Sequence, residues 1–214
     1  MPLNDIYNGS YGAWSFRVSR HPMSKPAMTS LPNAQLTHVG LFVRNLKLMT
    51  DFYCRTLGMV VTDSGPFGNR ELAFLSRSPD EHHQLVMIHD PALKSGMSAL
   101  SQISFRLENL EALRTFYAFL SAEKAPDLEG RNHGNSWSLY FFDPERNKIE
   151  IYVPTPWQLS QPWRAPLDLT QSAQAIVAET ERLVSANPTT QPAAQWSQAM
   201  ARKMGFANAA RENV

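Results

Sequence analysis

A tyrosine and a glutamate stand 10 residues apart on either side of a predicted β-hairpin. Tyr140 belongs to an apolar stretch that ends at the turn residues Asp143-Pro144, and Glu150 follows where charged and aliphatic residues alternate. Proline presets the backbone of an early turn position, and alternation with a period of two is typical of a strand with two different faces. Glu150 therefore points away from the aliphatic side chains. Such a carboxylate is either an ordinary surface residue or, facing a cavity, a metal ligand or an acid/base group.

Two further polar residues occupy equivalent places in an internal repeat. Residues 36–46 align without a gap on residues 100–110, and a Phe-Tyr pair recurs at the same offset of 64. Similarity at a fixed offset indicates tandem structural modules. His38 and Gln102 are equivalent under this offset, and both lie on the face opposite the aliphatic one.

An imidazole nitrogen, an amide oxygen and a carboxylate oxygen are all ligands that divalent metals accept. His38 and Glu150 are candidates for ligands of one metal site, and Gln102 occupies the position equivalent to His38 in the second copy. The alternatives are a core histidine with a hydrogen-bond partner and a glutamine hydrogen-bonded inside the sheet. The first-copy counterpart of Glu150 falls near Leu85 or Val86, so only one complete site is expected.

The elements that must position these residues follow the same order in both copies. Apolar residues at alternate positions predict the strands, and apolar residues three and four apart predict the helix between them, which Gly58 ends in the first copy. The predicted elements are a strand over 36–43, a helix over 46–57, strands near 59–63, 70–76 and 84–89, and, in the second copy, strands over 126–131, 136–142 and 148–153. The fold class predicted is α+β: two tandem βαβββ modules with pseudo-twofold symmetry, forming a curved mixed sheet around a cavity.

The chain is predicted to have three parts. Residues 1–33 contain scattered proline, glycine and serine and no sustained period, so they are expected to form an irregular arm. Residues 34–160 form the domain, with modules at 34–95 and 98–155. Residues 161–214 form a C-terminal extension with amphipathic helices over 172–186 and 193–204, which is expected to pack through its tryptophans on the domain or on a second subunit.

Composition excludes several classes of function. The chain carries 20 basic and 19 acidic residues, and the two kinds are interspersed. The sequence therefore shows no basic run of the kind that binds a nucleic acid. No apolar run reaches the roughly 20 residues that span a bilayer, and no signal peptide is evident. A single cysteine, Cys54, forms no intrachain disulfide. A cytoplasmic protein without membrane or nucleic-acid partners is expected.

The residues that could do chemistry fall into short motifs. These are the Leu-Thr-His-Val-Gly opening around His38, the run Glu81-His-His-Gln84 before a strand, the loop His133-Gly134, and Tyr-Phe-Phe-Asp-Pro at 140–144 followed by Glu150. Over about residues 34–160 the chain resembles the vicinal oxygen chelate superfamily, which includes glyoxalases and bleomycin resistance proteins. Within it the chain is most similar to type I extradiol dioxygenases that cleave catechols, and to their short relatives.

The resemblance implies a mononuclear metal site. Family dioxygenases hold iron(II) with two histidines and one glutamate, and these positions fall on His38, Gln102 and Glu150 here. Gln102 departs from the family pattern because it offers a neutral amide oxygen where the family has an imidazole. Glutamine is a ligand in the related glyoxalase I branch. Fe(II) is therefore the expected metal, with manganese, zinc or nickel as alternatives.

The resemblance also implies roles for three further residues. His83 matches the acid/base residue beside the metal, since a neutral imidazole can take the catechol proton. Tyr140 matches the tyrosine that hydrogen-bonds a substrate oxygen. His133 lies near the family's substrate-contacting histidine. His82 is expected to point the other way.

Three functions remain open at this stage. The first is an extradiol-type dioxygenase that inserts O₂ into a catechol-like ring. The second is an enzyme of the same fold whose metal acts without redox chemistry in an isomerase, lyase or hydrolase reaction on a vicinal-oxygen substrate. The third is a metal-free small-molecule binder of the drug-sequestering type. A homo-oligomer is expected in each case.

Overall fold

The computed structural model describes residues 35–94 and 100–205, which fall into two compact units. The first unit ends at Lys94 and the second begins at Ser95. The arm predicted over residues 1–33 lies outside the described residues. Each unit is described by itself below.

The first unit contains one βαβββ module. Its elements are β1 (Val39–Val43), α1 (Leu46–Leu57), β2 (Val60–Phe67), β3 (Arg70–Ser76) and β4 (Leu85–His89). The side chain of Asn45 caps α1 by accepting from the backbone N–H of Leu48, and Gly58 ends the helix at φ 63°, a conformation that favours glycine. The helix bounds are those predicted from the sequence.

The four strands of the first unit form a sheet in the order β1-β4-β3-β2. β1 runs parallel to β4, and the other neighbours are antiparallel. α1 contacts β3 and β4, and it buries Met49 and Tyr53 with Val43, Leu75 and Met87 of the sheet. The aliphatic face of this sheet is thus covered by its own helix.

The second unit repeats the module and extends it. Its elements are β5 (Ile103–Arg106), α2 (Leu110–Ala122), β6 (Glu129–Asn132), β7 (Ser136–Phe142), β8 (Lys148–Pro154), β9 (Trp157–Gln158), β10 (Ala165–Pro166), α3 (Ala173–Ser185), β11 (Gln191–Pro192) and α4 (Ala193–Lys203). Its main sheet has the order β10-β6-β7-β8-β5, with β5 parallel to β8. The predicted α+β fold of two tandem βαβββ modules is therefore confirmed.

Strand register confirms the repeat residue by residue. Val39 pairs with Leu85 in the first unit, and Ile103 pairs with Ile149 in the second, so both partners are displaced by the offset of 64 seen in the sequence. The residue equivalent to Glu150 in the first unit is consequently Val86.

Several predicted boundaries were wrong. The first strand begins at Val39 and not at residue 36, so His38 lies just before it, and Gln102 likewise precedes β5. β6 begins at Glu129 because Lys124 and Asp127 have positive φ angles of 55° and 59°, which a strand cannot contain. The short strands of the C-terminal extension were not predicted.

The C-terminal extension is built into the second unit. β10 pairs with β6, and β9 pairs with β11. Thr180 of α3 is fully buried and accepts hydrogen bonds from Asn132 Nδ2 at 2.9 Å and Trp137 Nε1 at 2.8 Å. The extension therefore holds the strand end at Asn132, directly before the loop that carries His133.

Within the described residues, no helix has both the length and the apolar character that a membrane crossing requires.

Candidate functional site

Glu150 lies at the centre of a hydrogen-bond network in the second unit. β8 places it between β7 and β5, with Tyr140 directly opposite on one side and Ser104 on the other. The Tyr140 hydroxyl donates to Glu150 Oε1 at 2.7 Å. Ser104 Oγ and Gln102 Nε2 donate to Oε2 at 2.6 and 2.8 Å. Neighbouring strands thus direct three neutral donors at one carboxylate.

The electrostatic environment of this carboxylate is unusual. Glu150 is only 8% exposed, and among the described residues no lysine, arginine or histidine forms an ion pair with it. A buried charge is costly unless it is paired or ligates a metal. The three donors satisfy the oxygens but leave the negative charge without a cation.

Gln102 presents its two amide atoms differently. A carboxylate accepts only, so the amide nitrogen faces Glu150, and it also lies 3.0 Å from Ser104 Oγ. The amide oxygen has no partner among the described residues. This oxygen is the predicted metal ligand of Gln102, and it remains available for a metal or a substrate hydroxyl.

Tyr140 is kept protonated by its surroundings. Burial raises the pKa of its phenol far above the usual value, and the hydrogen bond to Glu150 raises it further. Lys148 Nζ lies 4.4 Å from the centre of the ring. Tyr140 therefore acts as a hydrogen-bond donor throughout the physiological pH range.

His133 continues the network away from Glu150. Its Nε2 lies 3.0 Å from the Tyr140 hydroxyl, and its Nδ1 lies 3.2 Å from the carbonyl oxygen of Trp163. A carbonyl accepts only, so Nδ1 carries a hydrogen. Nε2 is the ring atom that faces the Tyr140 hydroxyl. His133, Tyr140 and Glu150 therefore lie in one continuous series of polar contacts.

The loop that carries His133 is fixed by close packing. Gly134 has a φ angle of 73°, and its N–H donates to Asn132 Oδ1 at 2.8 Å. A Cβ at this position would overlap Leu159 and press on Trp163. Glycine is thus favoured here by the positive φ angle and by the close approach of the Leu159 and Trp163 side chains.

The first unit contributes a cluster of three histidines. The rings of His38 and His83 are centred 4.5 Å apart, and Phe74 lies 4.9 Å from His83. His82 is exposed, and its Nδ1 lies 2.9 Å from Nδ1 of His83. His38 Nδ1 lies 3.1 Å from the Thr37 hydroxyl. His82 is thus in contact with His83.

The surroundings of His83 favour the neutral form of its imidazole. Partial burial lowers the pKa of its imidazole, and the positive charges of His38 and His82 lower it further. An imidazole with a lowered pKa is unprotonated at neutral pH and can accept a proton.

The structure therefore places the six candidate residues in two sets. Gln102, His133, Tyr140 and Glu150 come together in the second unit, whereas His38 and His83 come together in the first. The joint participation of both sets in one site stays a prediction. Among the described residues no three or more histidine, cysteine, aspartate or glutamate side chains are grouped to hold a metal ion. The predicted set contains only two such residues, with Gln102 as the third member.

The second-unit residues fit a divalent cation. The buried carboxylate of Glu150 lacks a cationic partner, and the amide oxygen of Gln102 beside it lacks a donor. Carboxylate and amide oxygens are ligands that hard divalent cations accept. His38 is the predicted nitrogen ligand from the first unit.

Sequence reasoning missed three residues of the second-unit network. Ser104 was not among the predicted site residues, although its position two residues after Gln102, on the same strand face, was a usable signal. The Trp163 carbonyl and the Gln161 side chain, which donates to the carbonyl oxygen of His133 at 2.9 Å, gave no local signal. They reach His133 from a segment about 30 residues away.

Two βαβββ modules with polar site residues on their strands are typical of one class of small α+β proteins. The model of the Glyoxalase/Bleomycin resistance protein/Dioxygenase superfamily matches residues 35–151, which is more than half of the chain. The chain belongs to this superfamily, as the sequence motifs indicated.

Individual relatives are distant. A curated relative, biphenyl-2,3-diol 1,2-dioxygenase 2 of Rhodococcus globerulus, is 25% identical over 130 residues. The match covers 59% of this chain and 65% of the relative, so the chain spans less than two thirds of that protein.

Two solved structures share the fold. A glyoxylase/bleomycin resistance protein/dioxygenase domain from Frankia sp. EAN1pec has a TM-score of 0.50 at 18% identity, covering 58% of this chain and all of that one. The trypanothione-dependent glyoxalase I of Leishmania major also has a TM-score of 0.50, at 16% identity, covering 82% of this chain and all of that one.

Proposed function

We propose that this protein is a metal-dependent, extradiol-type dioxygenase-like enzyme that acts on a catechol or a related vicinal-oxygen aromatic substrate. The observation that carries the proposal is the hydrogen-bond chain from His133 through Tyr140 to the buried carboxylate of Glu150. This chain combines a buried carboxylate that has no cationic partner with groups that can bind and orient two adjacent substrate oxygens. The distant similarity to a biphenyl-2,3-diol dioxygenase supports the same reading.

Three residues are proposed to hold the metal. Glu150 would supply the carboxylate, Gln102 its free amide oxygen and His38 an imidazole nitrogen. A bound iron(II) would supply acidification of the substrate hydroxyls and the redox capacity to react with O₂.

The remaining residues are proposed to bind the substrate and move its protons. Tyr140, which stays protonated, orients one substrate oxygen, and His133 contacts the same end of the substrate. Neutral His83 accepts a catechol proton at its imidazole nitrogen. Phe74, packed on His83, restricts the orientation of that ring and shields it from water.

Metal content of freshly purified protein is the direct test. Elemental analysis should find a divalent metal in the wild type, and His38→Ala and Glu150→Ala should each lose most of it, because a site with three protein ligands can hardly spare one. Matched controls are His82→Ala and Glu129→Gln, which remove a neighbouring histidine and a carboxylate on the same face of the second-unit sheet. Unchanged metal content in both ligand variants contradicts the assignment.

Activity is tested on the same preparations. Catechol and biphenyl-2,3-diol are incubated under air while oxygen uptake is recorded, and ring-opened product is identified by mass spectrometry. Ring cleavage by the wild type and its loss in Glu150→Ala are expected. Stoichiometric metal without oxygen uptake on any catechol overturns the dioxygenase reaction.

A metal enzyme without redox chemistry is the second candidate, and Gln102 is the observation that favours it. An amide in place of the family's second imidazole makes the ligand set richer in oxygen, which suits a Lewis acid. The variant Gln102→His separates the two candidates. Tighter iron binding with increased ring cleavage supports the dioxygenase, whereas cleavage that stays at background supports the non-redox enzyme.

A further inference from the structure

A cavity of about 850 Å³ lies beside His133 in the second unit. It is lined by His133, Gln161, Pro162, Trp163 and Arg164. Cavities of roughly 300–1,000 Å³ hold small ligands. The half-buried indole of Trp163 gives this cavity an aromatic wall, and the imidazole of His133 joins it to Tyr140 and Glu150.

The segment that lines the cavity is held in place by hydrogen bonds to the His133 loop. Gln161 Nε2 donates to the carbonyl oxygen of His133 at 2.9 Å, and Gln161 Oε1 accepts from the backbone N–H of Trp163 at 2.9 Å. Ala165 pairs with Asn132 in the β10–β6 ladder. Arg164 directly precedes this ladder in β10, and His133 directly follows it in β6.

Arg164 has a free guanidinium group. No described residue forms a hydrogen bond or an ion pair with it, although other arginines of the second unit are paired: Arg131 with Glu129, and Arg146 with Asp127. The guanidinium is therefore available to a ligand.

The face of the second-unit sheet that carries Tyr140 and Glu150 has an excess of positively charged side chains. Arg106 lies on this face two residues after Ser104 and has no acidic partner among the described residues. Lys148 also lies there, over the ring of Tyr140. Glu129 on the same face is paired with Arg131, and both oxygens of Glu150 at the centre are already hydrogen-bonded. A face of this kind attracts anions, whereas the chain as a whole is nearly neutral.

We infer that the substrate carries a carboxylate that lies in the cavity beside His133, and that Arg164 is the specificity-determining residue that binds it. A guanidinium matches a carboxylate with two parallel hydrogen bonds, and Trp163 provides the surface for the ring. The assignment of the reacting end to Tyr140 and His133 rests on the proposed function. The recognition of the anion does not.

The test measures binding without turnover. The full-length protein is titrated calorimetrically under nitrogen with dihydrocaffeate, which is a catechol with a carboxyethyl side chain, with its neutral primary amide, and with phenylpropionate, which lacks the hydroxyls. The wild type should bind dihydrocaffeate roughly tenfold more tightly than the amide, the effect of one charge-assisted pair. Arg164→Gln should abolish this preference by weakening binding of the acid, and Arg164→Lys should restore part of it.

Arg146→Gln is the matched control. It removes another exposed arginine of the second unit, which stacks on Phe142 at 4.0 Å, and should keep the wild-type preference. Circular dichroism and thermal unfolding verify that all variants are folded. Equal affinity of the wild type for acid and amide, an unchanged preference in Arg164→Gln, or absence of binding of all three ligands overturns the inference.

The outcomes also separate this inference from the proposed function. Binding of phenylpropionate that depends on Arg164, with no ring cleavage of any catechol, supports the anion site and contradicts the dioxygenase. Ring cleavage with the same kcat/KM for acid and amide supports the dioxygenase and contradicts the anion site.

Discussion

The Tyr140 hydroxyl lies between the carboxylate of Glu150 and the imidazole of His133. It donates to Glu150 and lies within hydrogen-bond distance of His133, and its raised pKa keeps the phenol hydrogen in place. The Tyr140 oxygen therefore connects Glu150, the proposed metal ligand, to the loop of His133, which lines the neighbouring cavity. Removing that atom should affect stability and catalysis together.

Tyr140→Phe should lower the free energy of unfolding by about 1–3 kcal/mol, because a buried carboxylate loses one of its donors. The same variant should lower kcat/KM by roughly tenfold through the lost substrate hydrogen bond. Urea unfolding and steady-state kinetics measure the two effects. Tyr152→Phe, on the same strand face as Glu150, is the matched control and should change neither quantity; equal effects in both variants contradict the assigned role of Tyr140.

His83→Gln tests proton transfer. Glutamine keeps hydrogen-bonding capacity but carries no proton at neutral pH, so kcat should fall by about 10²–10⁴ while metal content stays constant. The lowered pKa of His83 leaves it neutral above its ordinary value of 6.5, so wild-type activity should persist at neutral pH and fall only as the pH drops below about 6.5. This acidic limb should be absent from the pH profile of His83→Gln.

His82→Gln is the control for that experiment. It keeps His83 but removes one of the positive charges that lower the pKa of His83. Activity at neutral pH should be retained, and the acidic limb should move to higher pH. A His83→Gln enzyme with full activity and an unaltered profile would make His83 a bystander.

At the scale of elements, α3 positions the site without touching Glu150. Its Thr180 accepts from Asn132 and Trp137 and donates to the carbonyl oxygen of Ile176 at 2.7 Å. Asn132 in turn accepts from the N–H of Gly134, next to His133. The orientation of a loop in the second module thus depends on a helix of the C-terminal extension.

Thr180→Val should lower the free energy of unfolding of the second unit by about 1–3 kcal/mol for each buried donor that loses its acceptor. Thr180→Ser, which keeps the hydroxyl, should retain most of the stability. Thr115→Val on α2 is a matched control, since Thr115 makes the same bond to the carbonyl four residues earlier but is exposed and receives no buried donor. Urea unfolding followed by tryptophan fluorescence measures all three, and equal losses at Thr180 and Thr115 contradict the bridging role of α3.

At the scale of the whole molecule, the two modules share a topology but not a site. Ser104 and Glu150 pair across β5 and β8, whereas the equivalent pair in the first unit is Gly40 and Val86. The first unit therefore lacks both the carboxylate and its hydroxyl donor. Duplication of the fold did not duplicate the chemistry.

This asymmetry predicts the metal stoichiometry. Elemental analysis against a protein concentration from amino-acid analysis should find one divalent metal per chain, because the described part of the first module has Val86 at the position of Glu150. Glu150→Val, which makes the second module resemble the first, should reduce the content to background. Two equivalents per chain, or one that survives in Glu150→Val, contradict a single site.

The sequence alone determined the modules and the residue types of the site. The period of two in residues 148–153 and the turn at Asp143-Pro144 specify a hairpin, and a hairpin of that length must place Tyr140 opposite Glu150. The helix over 46–57 was predictable to the residue because its apolar spacing ends at a glycine that can adopt a positive φ angle. These features depend on local backbone chemistry, which neighbouring residues encode.

Which polar atoms meet depends on contacts between segments that are far apart in the chain. Ser104 and Gln102 reach Glu150 across 46 and 48 residues, and the Trp163 carbonyl reaches His133 across 30. Periodicity states which face of an element a side chain occupies, but not which atom of a distant segment will lie opposite it. The pairing of β5 with β8 brings Ser104 and Gln102 to Glu150, and the packing of β10 and α3 against β6 and β7 brings the Trp163 carbonyl to His133.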